Sequence, residues 1–152
     1  MSDLTFRTAT RDDLPVIVAM LADDEFGENR EKPGISVPAE YAQAFEAMCK
    51  EPANRVLLAE KDGEIVASLQ LVFTASLSRR GTRRATIEAV RVASPFRGQN
   101  IGTALMRHAI AESRAAGCGL VQLTSDKRRT GAHDFYEALG FQATHEGYKL
   151  LL

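Results

Sequence analysis

The stretch VRVASPFRGQNIGTALM, residues 90–106, joins a β-branched run to an amphipathic pattern through a loop with glycines at both ends. The apolar residues that follow the loop recur at helical spacing: Ile101, Leu105, Ala109 and Ile110. This stripe predicts a helix that begins near residue 101 and ends at the glycine at position 117. The sequence therefore predicts a strand, a tight turn and a helix in direct succession.

A turn of this kind is suited to binding an anion. The first amide groups of a helix have no internal acceptor, and the positive end of the helix dipole lies beside them. Glycine lets the backbone approach a ligand closely. We predict that a pyrophosphate-sized anion rests on the N–H groups of residues 98–103, with Arg97 adding charge. A plain turn that needs glycine for its positive φ is an alternative reading of the same residues.

Composition and charge limit the classes of function. The chain has 152 residues, a formal net charge of −1 and two cysteines. This length predicts one domain over residues 1–152, and the balanced charge argues against a nucleic-acid partner. We expect no membrane association, because no apolar run approaches the roughly 20 residues of a bilayer span. A cytoplasmic protein with reduced cysteines and no metal site is expected.

The rest of the chain alternates strand and helix patterns. A strand at 4–8 is followed by helices over roughly 11–22 and up to about 50, and the connection between them, residues 23–38, is predicted to be mobile. Two runs around Asp62-Gly63 predict a hairpin. Further strands are expected over 85–92, at LVQLT and at the final EGYKLLL, with a short helix at 132–140. The order β-α-α-β-β-β-α-β-α-β implies an α/β fold with a mixed sheet flanked by helices.

Two motifs carry a resemblance to a known family. The pattern Arg97–Gly102, preceded by ATIEAV (85–90) and followed by AHDFYEALGF (132–141), resembles the GCN5-related N-acetyltransferase family. In that family [QR]xxGx[GA] opens the helix that holds the acetyl-CoA pyrophosphate. Here the middle glycine is replaced by Asn100, which tolerates left-handed backbone better than other residues with a Cβ. The resemblance implies that acetyl-CoA is the cosubstrate.

The resemblance also implies which residues contact the cofactor. The strand before the loop pairs with the pantetheine arm in such enzymes, which assigns Val90 and Val92 to it, and the Val92 N–H would polarise the thioester carbonyl. The remaining cofactor-binding residues implied by the motif are Arg97, Gly98, Gln99, Asn100, Ile101, Gly102 and Thr103.

Two side chains are candidates for the acid–base chemistry. Glu88 alternates with Val90 and Val92, so we expect these residues to share a face that lines the cleft, and partial burial would raise the Glu88 pKa towards that of a useful base. Pairing of Glu88 with a neighbouring arginine is the alternative. The resemblance assigns Tyr136, in FYxxLGF, as the donor of a proton to the departing thiol, against the alternative of a buried structural tyrosine.

Several basic residues lie near these motifs. His133 and the run Lys127, Arg128 and Arg129 could reach a phosphate of the cofactor or remain solvated. Four arginines precede the strand with Glu88, and they could select an anionic group on the acceptor or simply contact water: Arg79, Arg80, Arg83 and Arg84.

The resemblance implies an acetyl-CoA-dependent N-acetyltransferase that acts on a primary amine of a small molecule by direct attack in a ternary complex. A catalytically silent module that binds acyl-CoA, and a peptide or protein N-acetyltransferase, are the alternatives. The final strand could pair between two copies in a homodimer. The identity of the acceptor amine and the oligomeric state are not determined by the sequence.

Overall fold

The computed structural model describes residues 3–24 and 26–152, so Glu25 of the predicted mobile connection lies outside the described residues. The chain forms two compact units, Met1–Gln122 and Leu123–Leu152. The helices are α1 (Leu14–Ala22), α2 (Ala39–Lys50), α3 (Ile101–Ala115) and α4 (Thr130–Ala138). The strands are β1 (Leu4–Thr8), β2 (Asn54–Lys61), β3 (Glu64–Thr74), β4 (Arg84–Val92) and β5 (Leu120–Leu123).

The five strands form one mixed sheet in the order β1-β2-β3-β4-β5, which confirms the predicted fold class. The first four strands pair antiparallel with their neighbours in sequence, while α3 connects β4 to β5. The hairpin between β2 and β3 turns at Asp62 and Gly63, both at positive φ, as the sequence predicts. Each strand lies beside its neighbour in sequence, although only the β2–β3 and β3–β4 connections are short and helices lie in the other two.

Helices cover opposite faces of this sheet. Ile17 of α1 packs in a cluster with Leu58 of β2, and Phe45 of α2 borders this cluster. The ring of Phe6 in β1 stacks on His108 of α3 at 4.4 Å, on the other face. We refer to these as the α1 face and the α3 face. The strand residues between the two layers include the fully buried Leu57, Leu58, Leu69, Leu71 and Ile87.

A β-bulge in β4 changes which side chains share a face. Gln70 of β3 lies opposite Glu88, but Ser68 lies opposite Arg91, so β4 has one extra residue between these two pairs. Ala89 takes the left-handed conformation there, with φ 53°. Because side chains alternate between faces, the bulge places Glu88 and Arg91 together on the α1 face.

The predicted final strand is wrong. Residues 141–152 contain neither helix nor strand, and Leu150, Leu151 and Leu152 are exposed. The EGYKLLL segment has strand-like composition, but strand propensity is realised only where a neighbouring strand accepts the backbone hydrogen bonds. None of the helices in the described ranges is long and apolar enough to span a bilayer.

The connection from β3 to β4 contains a strained turn at Ser78–Gly81, which we call the arginine turn. Arg79 and Arg80 both have left-handed backbone, with φ of 52° and 60°. Thr82 closes the turn by donating from Oγ1 to the Arg79 carbonyl at 2.6 Å. Left-handed backbone at a residue with a Cβ costs about 1–2 kcal/mol.

We therefore expect Arg80→Gly to increase the free energy of unfolding by up to about 1 kcal/mol, because glycine adopts positive φ without the steric cost. Urea denaturation would measure it. Lys50→Gly, at an exposed helix end, is the control for the general effect of glycine and should not stabilise the protein. A destabilised Arg80→Gly variant would contradict the assignment of strain to this turn.

A partly buried ion pair connects β1 to the start of α1. Asp13 accepts hydrogen bonds from Arg7 at 2.7 and 2.9 Å and from the Thr10 amide at 2.7 Å, and the Thr10 contact completes the predicted capping box. Hydrogen bonding to Arg7 lowers the pKa of Asp13 to about 2, against the opposing effect of burial. The pair therefore stabilises the fold while Asp13 is ionised.

We expect Asp13→Asn to reduce the free energy of unfolding at pH 7 by about 1–2 kcal/mol, after allowance for the half-exposed Arg7. Because the folded pKa lies below that of the unfolded chain, the contribution is complete above about pH 4 and is lost as the pH falls towards 2. Urea titrations between pH 3 and 7 would test this. The control is Asp12→Asn at the preceding, exposed position, which should leave the free energy of unfolding nearly unchanged. Equal losses of stability in the two variants would refute the prediction.

Candidate functional site

The loop before α3 presents a row of amide groups without acceptors. Gly98 and Asn100 both take left-handed backbone, with φ of 76° and 60°, and the α3 helix begins directly afterwards at Ile101. Among the described residues, no acceptor engages the amide nitrogens of residues 98–103, and the first helical bond in the loop region runs from Ala104 to the Asn100 carbonyl. We call this segment, residues 98–103, the amide cradle.

The amide cradle is open to solvent and lies at the positive end of a helix. Residues 98–100 are exposed, and a Cβ at Gly98 would meet no protein atom within 4 Å, so the space in front of the backbone is open. The cradle lies at the positive end of α3, a helix of 15 residues. A backbone N–H group without a hydrogen-bond acceptor is unfavourable unless water or a ligand supplies one, so the unpaired amides favour an anionic ligand. Asn100 takes the left-handed conformation that the sequence predicts it to tolerate.

The Arg97 guanidinium forms hydrogen bonds within the protein. Its Nε donates to the Val92 carbonyl at 3.1 Å, and its Nη2 donates to the Asp23 carbonyl at 2.9 Å. The Asp23 carboxylate lies 3.5 Å from the same nitrogen. Arg97 therefore ties the segment after α1 to the end of β4, and the charge that it adds to the cradle is partly balanced.

A second ion pair fixes the same segment. Arg91 Nε lies 3.1 Å from Asp24 Oδ2, and both side chains are only 13% exposed. Asp24 Oδ1 also accepts from the amides of Phe26 and Gly27 at 2.7 Å each. The turn that follows α1 is thus held against the α1 face of β4, next to the position of Glu88.

Glu88 is exposed and unpaired. The expected partial burial is wrong, and so is the alternative of an arginine partner, because no described residue forms an ion pair or hydrogen bond with the Glu88 carboxylate. Gln70 lies directly opposite it on β3 and donates from Nε2 to Asn54 Oδ1 at 2.9 Å. The α1 face of the central strands thus carries a free carboxylate beside a pair of amide side chains.

The placement of Val90 and Val92 differs from the expectation. The bulge at Ala89 moves Val92 to the α3 face, opposite Ala67, so Glu88 does not share a face with Val92. Val92 and Val90 are both half-buried. The Val92 side chain therefore does not line the face that carries Glu88. Any contact of this segment with a ligand would be made by its backbone, which the bulge distorts.

Tyr136 belongs to the second unit. It lies in α4, half-buried, with its ring edge-on to Phe135 at 5.1 Å and to Phe141 at 6.0 Å. Its carbonyl accepts from the amides of Leu139 and Phe141, which closes the end of the helix. The FYxxLGF motif therefore builds a small aromatic cluster around this tyrosine.

The basic run before α4 is partly neutralised. Arg128 donates to Asp126 from Nε at 2.9 Å and from Nη2 at 2.7 Å, and this pairing holds the pKa of Asp126 well below its usual range. His133 is exposed in the first turn of α4. Within the described ranges, no group of three or more His, Cys, Asp or Glu side chains is arranged to hold a metal ion.

Sequence reasoning missed the polar residues that surround Glu88. Gln70 and Gln122 look like the solvent-facing members of ordinary alternating strands, and Asp24 looks like part of a charged loop. Strand register brings Gln70 opposite Glu88, and a long-range ion pair brings Asp24 to β4. The signal available in the sequence was weak: a glutamine within the apolar run EIVASLQLVF.

Comparison with known proteins agrees with this geometry. The chain is 31% identical, over 69% of its length and 68% of the relative's, to an aminoalkylphosphonate N-acetyltransferase of Salmonella typhimurium. It is 36% identical, over 61% of its length and 60% of the relative's, to a glucosamine 6-phosphate N-acetyltransferase of Trypanosoma brucei brucei. A crystal structure of a transcriptional regulator from Bacillus halodurans C-125 is 45% identical, covers 99% of this chain and 100% of its own, and superposes with a TM-score of 0.95.

The family assignment follows from the extent of the match. Residues 18–141, which include the amide cradle, Glu88 and Tyr136, match the acetyltransferase (GNAT) family. The relatives named as N-acetyltransferases match across more than half of the chain. The chain therefore belongs to the GNAT acetyltransferase family and is an N-acetyltransferase.

Proposed function

We propose that residues 1–152 form a single acetyltransferase domain that transfers the acetyl group of acetyl-CoA to the primary amine of a small molecule, by direct attack in a ternary complex. The observation that carries this proposal is the amide cradle, six consecutive N–H groups without acceptors at the start of α3. This arrangement suits the pyrophosphate of a nucleotide cofactor.

When bound, acetyl-CoA supplies an acetyl group activated as a thioester. The acceptor amine must be neutral to attack, and Glu88 is the group proposed to take its proton, directly or through a water molecule. Its exposure and lack of a protein partner support this role. Tyr136 is proposed to hold, at its phenolic oxygen, the proton that the departing thiol takes.

The relatives support a small acceptor. The two N-acetyltransferases to which the chain is similar are named for an aminoalkylphosphonate and an amino sugar phosphate. Both acceptors are small primary amines rather than peptides. This favours a small-molecule acceptor over a peptide N-terminus, so small amines should be the first compounds tested.

The proposal is tested by thiol release from acetyl-CoA with a panel of amines, including amino sugars, aminoalkylphosphonates, polyamines and short peptides. We expect turnover with at least one small amine. Initial-rate lines that intersect in a double-reciprocal plot would support a ternary complex, whereas parallel lines would indicate a covalent enzyme intermediate. Turnover with peptides alone would overturn the assignment of a small acceptor.

A second candidate is a module that binds acyl-CoA without turnover. The relative described as a transcriptional regulator favours it. Calorimetry separates the two candidates, because a silent module would bind CoA but release no thiol with any amine, peptide or antibiotic in the panel. The free carboxylate at Glu88 and the phenol of Tyr136 support the catalytic candidate.

A further inference from the structure

A polar strip runs along the α1 face of β4 and ends at an arginine. Strand register places Arg84, Thr86 and Glu88 on this one face, opposite Thr74, Val72 and Gln70 of β3. Glu88 lies four positions after Arg84 along the strand, which corresponds to about 13 Å between their Cα atoms. The strip thus carries a carboxylate at one end and a guanidinium at the other.

The Arg84 guanidinium is held in place by neutral groups. Its Nη2 donates to Ser78 Oγ and its Nη1 to Gln122 Oε1, at 3.4 Å for the second contact. Gln122 in turn donates from Nε2 to Thr86 Oγ1 at 3.2 Å. These contacts hold the fork of Arg84 without neutralising it, and Gln122 links it to Thr86.

The positive charge of Arg84 has no counterion among residues 3–24 and 26–152. No carboxylate of the described residues pairs with Arg84. Other arginines of this chain form ion pairs, such as Arg91 with Asp24 and Arg55 with Glu112. The Nη1 and Nη2 contacts of Arg84 are exposed, so a ligand anion can approach the end of this uncompensated guanidinium.

The arginine turn adds to this field. Arg79 and Arg80 are exposed and lie directly beside Ser78, which contacts Arg84. Arg83 does not contribute, because its side chain packs over the Phe73 ring at 5.8 Å, on the α3 face. The arginine turn thus adds two exposed arginines next to Ser78, in a chain whose net charge is −1.

The phosphates of the cofactor do not explain this site. Arg84 and Val92 are the first and last residues of β4, about 25 Å apart, and the amide cradle follows Val92. The cofactor pyrophosphate and the Arg84 site would thus lie at opposite ends of the same strand. The end with Arg84 is left for the acceptor, whose amine must approach Glu88.

Resting on the proposed function, we infer that Arg84, oriented by Ser78 and Gln122, binds a phosphonate or phosphate group of the acceptor amine. A guanidinium fork with two further arginines nearby matches the several oxygens and the double charge of such a group better than a single carboxylate would. The strip then binds a molecule with its amine at Glu88 and its anion at Arg84.

Binding of an anion without an amine tests the site independently of turnover. Ethylphosphonate is titrated into the protein saturated with CoA, and amide shifts are followed by NMR. We expect shifts centred on residues 78–86 and at least ten-fold weaker binding to Arg84→Gln. Arg107→Gln, which removes an exposed arginine of α3, should bind within two-fold of wild type. Shifts elsewhere, or equal binding to Arg84→Gln, would overturn the inference.

Turnover tests the selectivity. We expect kcat/KM for 2-aminoethylphosphonate to exceed that for propylamine by at least ten-fold. In Arg84→Gln most of this preference should be lost, through a higher KM for the phosphonate. Arg84→Lys should retain part of the preference. An unchanged thermal unfolding temperature in each variant would show that the lost preference does not come from misfolding. Equal use of both amines by the wild type would overturn the inference alone. Absence of turnover with every amine would overturn the proposed function, and the ethylphosphonate titration would still decide the anion site.

Discussion

Tyr136→Phe is expected to lower kcat by roughly 10- to 1000-fold while the affinity for CoA stays nearly unchanged. The substitution removes only the phenolic oxygen, and the ring keeps its edge contacts with Phe135 and Phe141. An effect on kcat without one on binding is the expected consequence of losing a proton donor. Thiol release under saturating acetyl-CoA and calorimetry with CoA measure the two quantities.

Tyr148→Phe is the matched control. Tyr148 is 88% exposed and lies in the segment after α4. The same loss of a hydroxyl there should leave kcat within two-fold of wild type. Wild-type turnover in Tyr136→Phe would remove Tyr136 from the proposed role, and an equal loss in both variants would show a non-specific effect.

Gly102→Pro is expected to weaken CoA binding by about 10- to 100-fold. Proline removes one of the six free N–H groups of the amide cradle, and a charge-assisted hydrogen bond contributes about 1.5–3 kcal/mol. The fold should tolerate the change, because Gly102 lies in the first turn of α3, where its amide has no acceptor in the protein. Calorimetry with CoA measures the loss.

Gly102→Ala separates the loss of the amide from the added bulk. Alanine adds a Cβ but keeps the N–H, and it favours the helix by about 1 kcal/mol over glycine. We expect its affinity for CoA to remain within a few-fold of wild type. If the proline and alanine variants bind CoA equally, the backbone amides of the cradle do not hold the pyrophosphate.

Most elements could be predicted from local patterns. The Asp62-Gly63 hairpin, the capping box at Thr10 and the left-handed Asn100 all depend on the conformational preferences of a few adjacent residues, and all three are confirmed. The final strand was predicted by the same reasoning and is wrong. Its composition suits a strand, but a strand also needs a partner elsewhere in the chain, which composition does not reveal.

The surroundings of Glu88 show the limit of periodicity. Strict alternation of side chains predicts that Glu88, Val90 and Val92 lie on one face of the sheet. This prediction is wrong because Ala89 forms a bulge. Alanine has no local feature that marks a left-handed residue, so the bulge is decided by how β4 pairs with β3. One extra residue is enough to change which side chains accompany the carboxylate.

The family, the amide cradle and the order of the elements before residue 141 could all be predicted, because each depends on short-range spacing and on backbone preferences. The partners of the charged groups could not. In the described part of the chain the Glu88 carboxylate has no partner, Arg97 contacts Asp23, and Arg84 and Arg83 lie on opposite faces of the sheet. These outcomes depend on strand register and on contacts between residues distant in the chain, which local spacing does not encode.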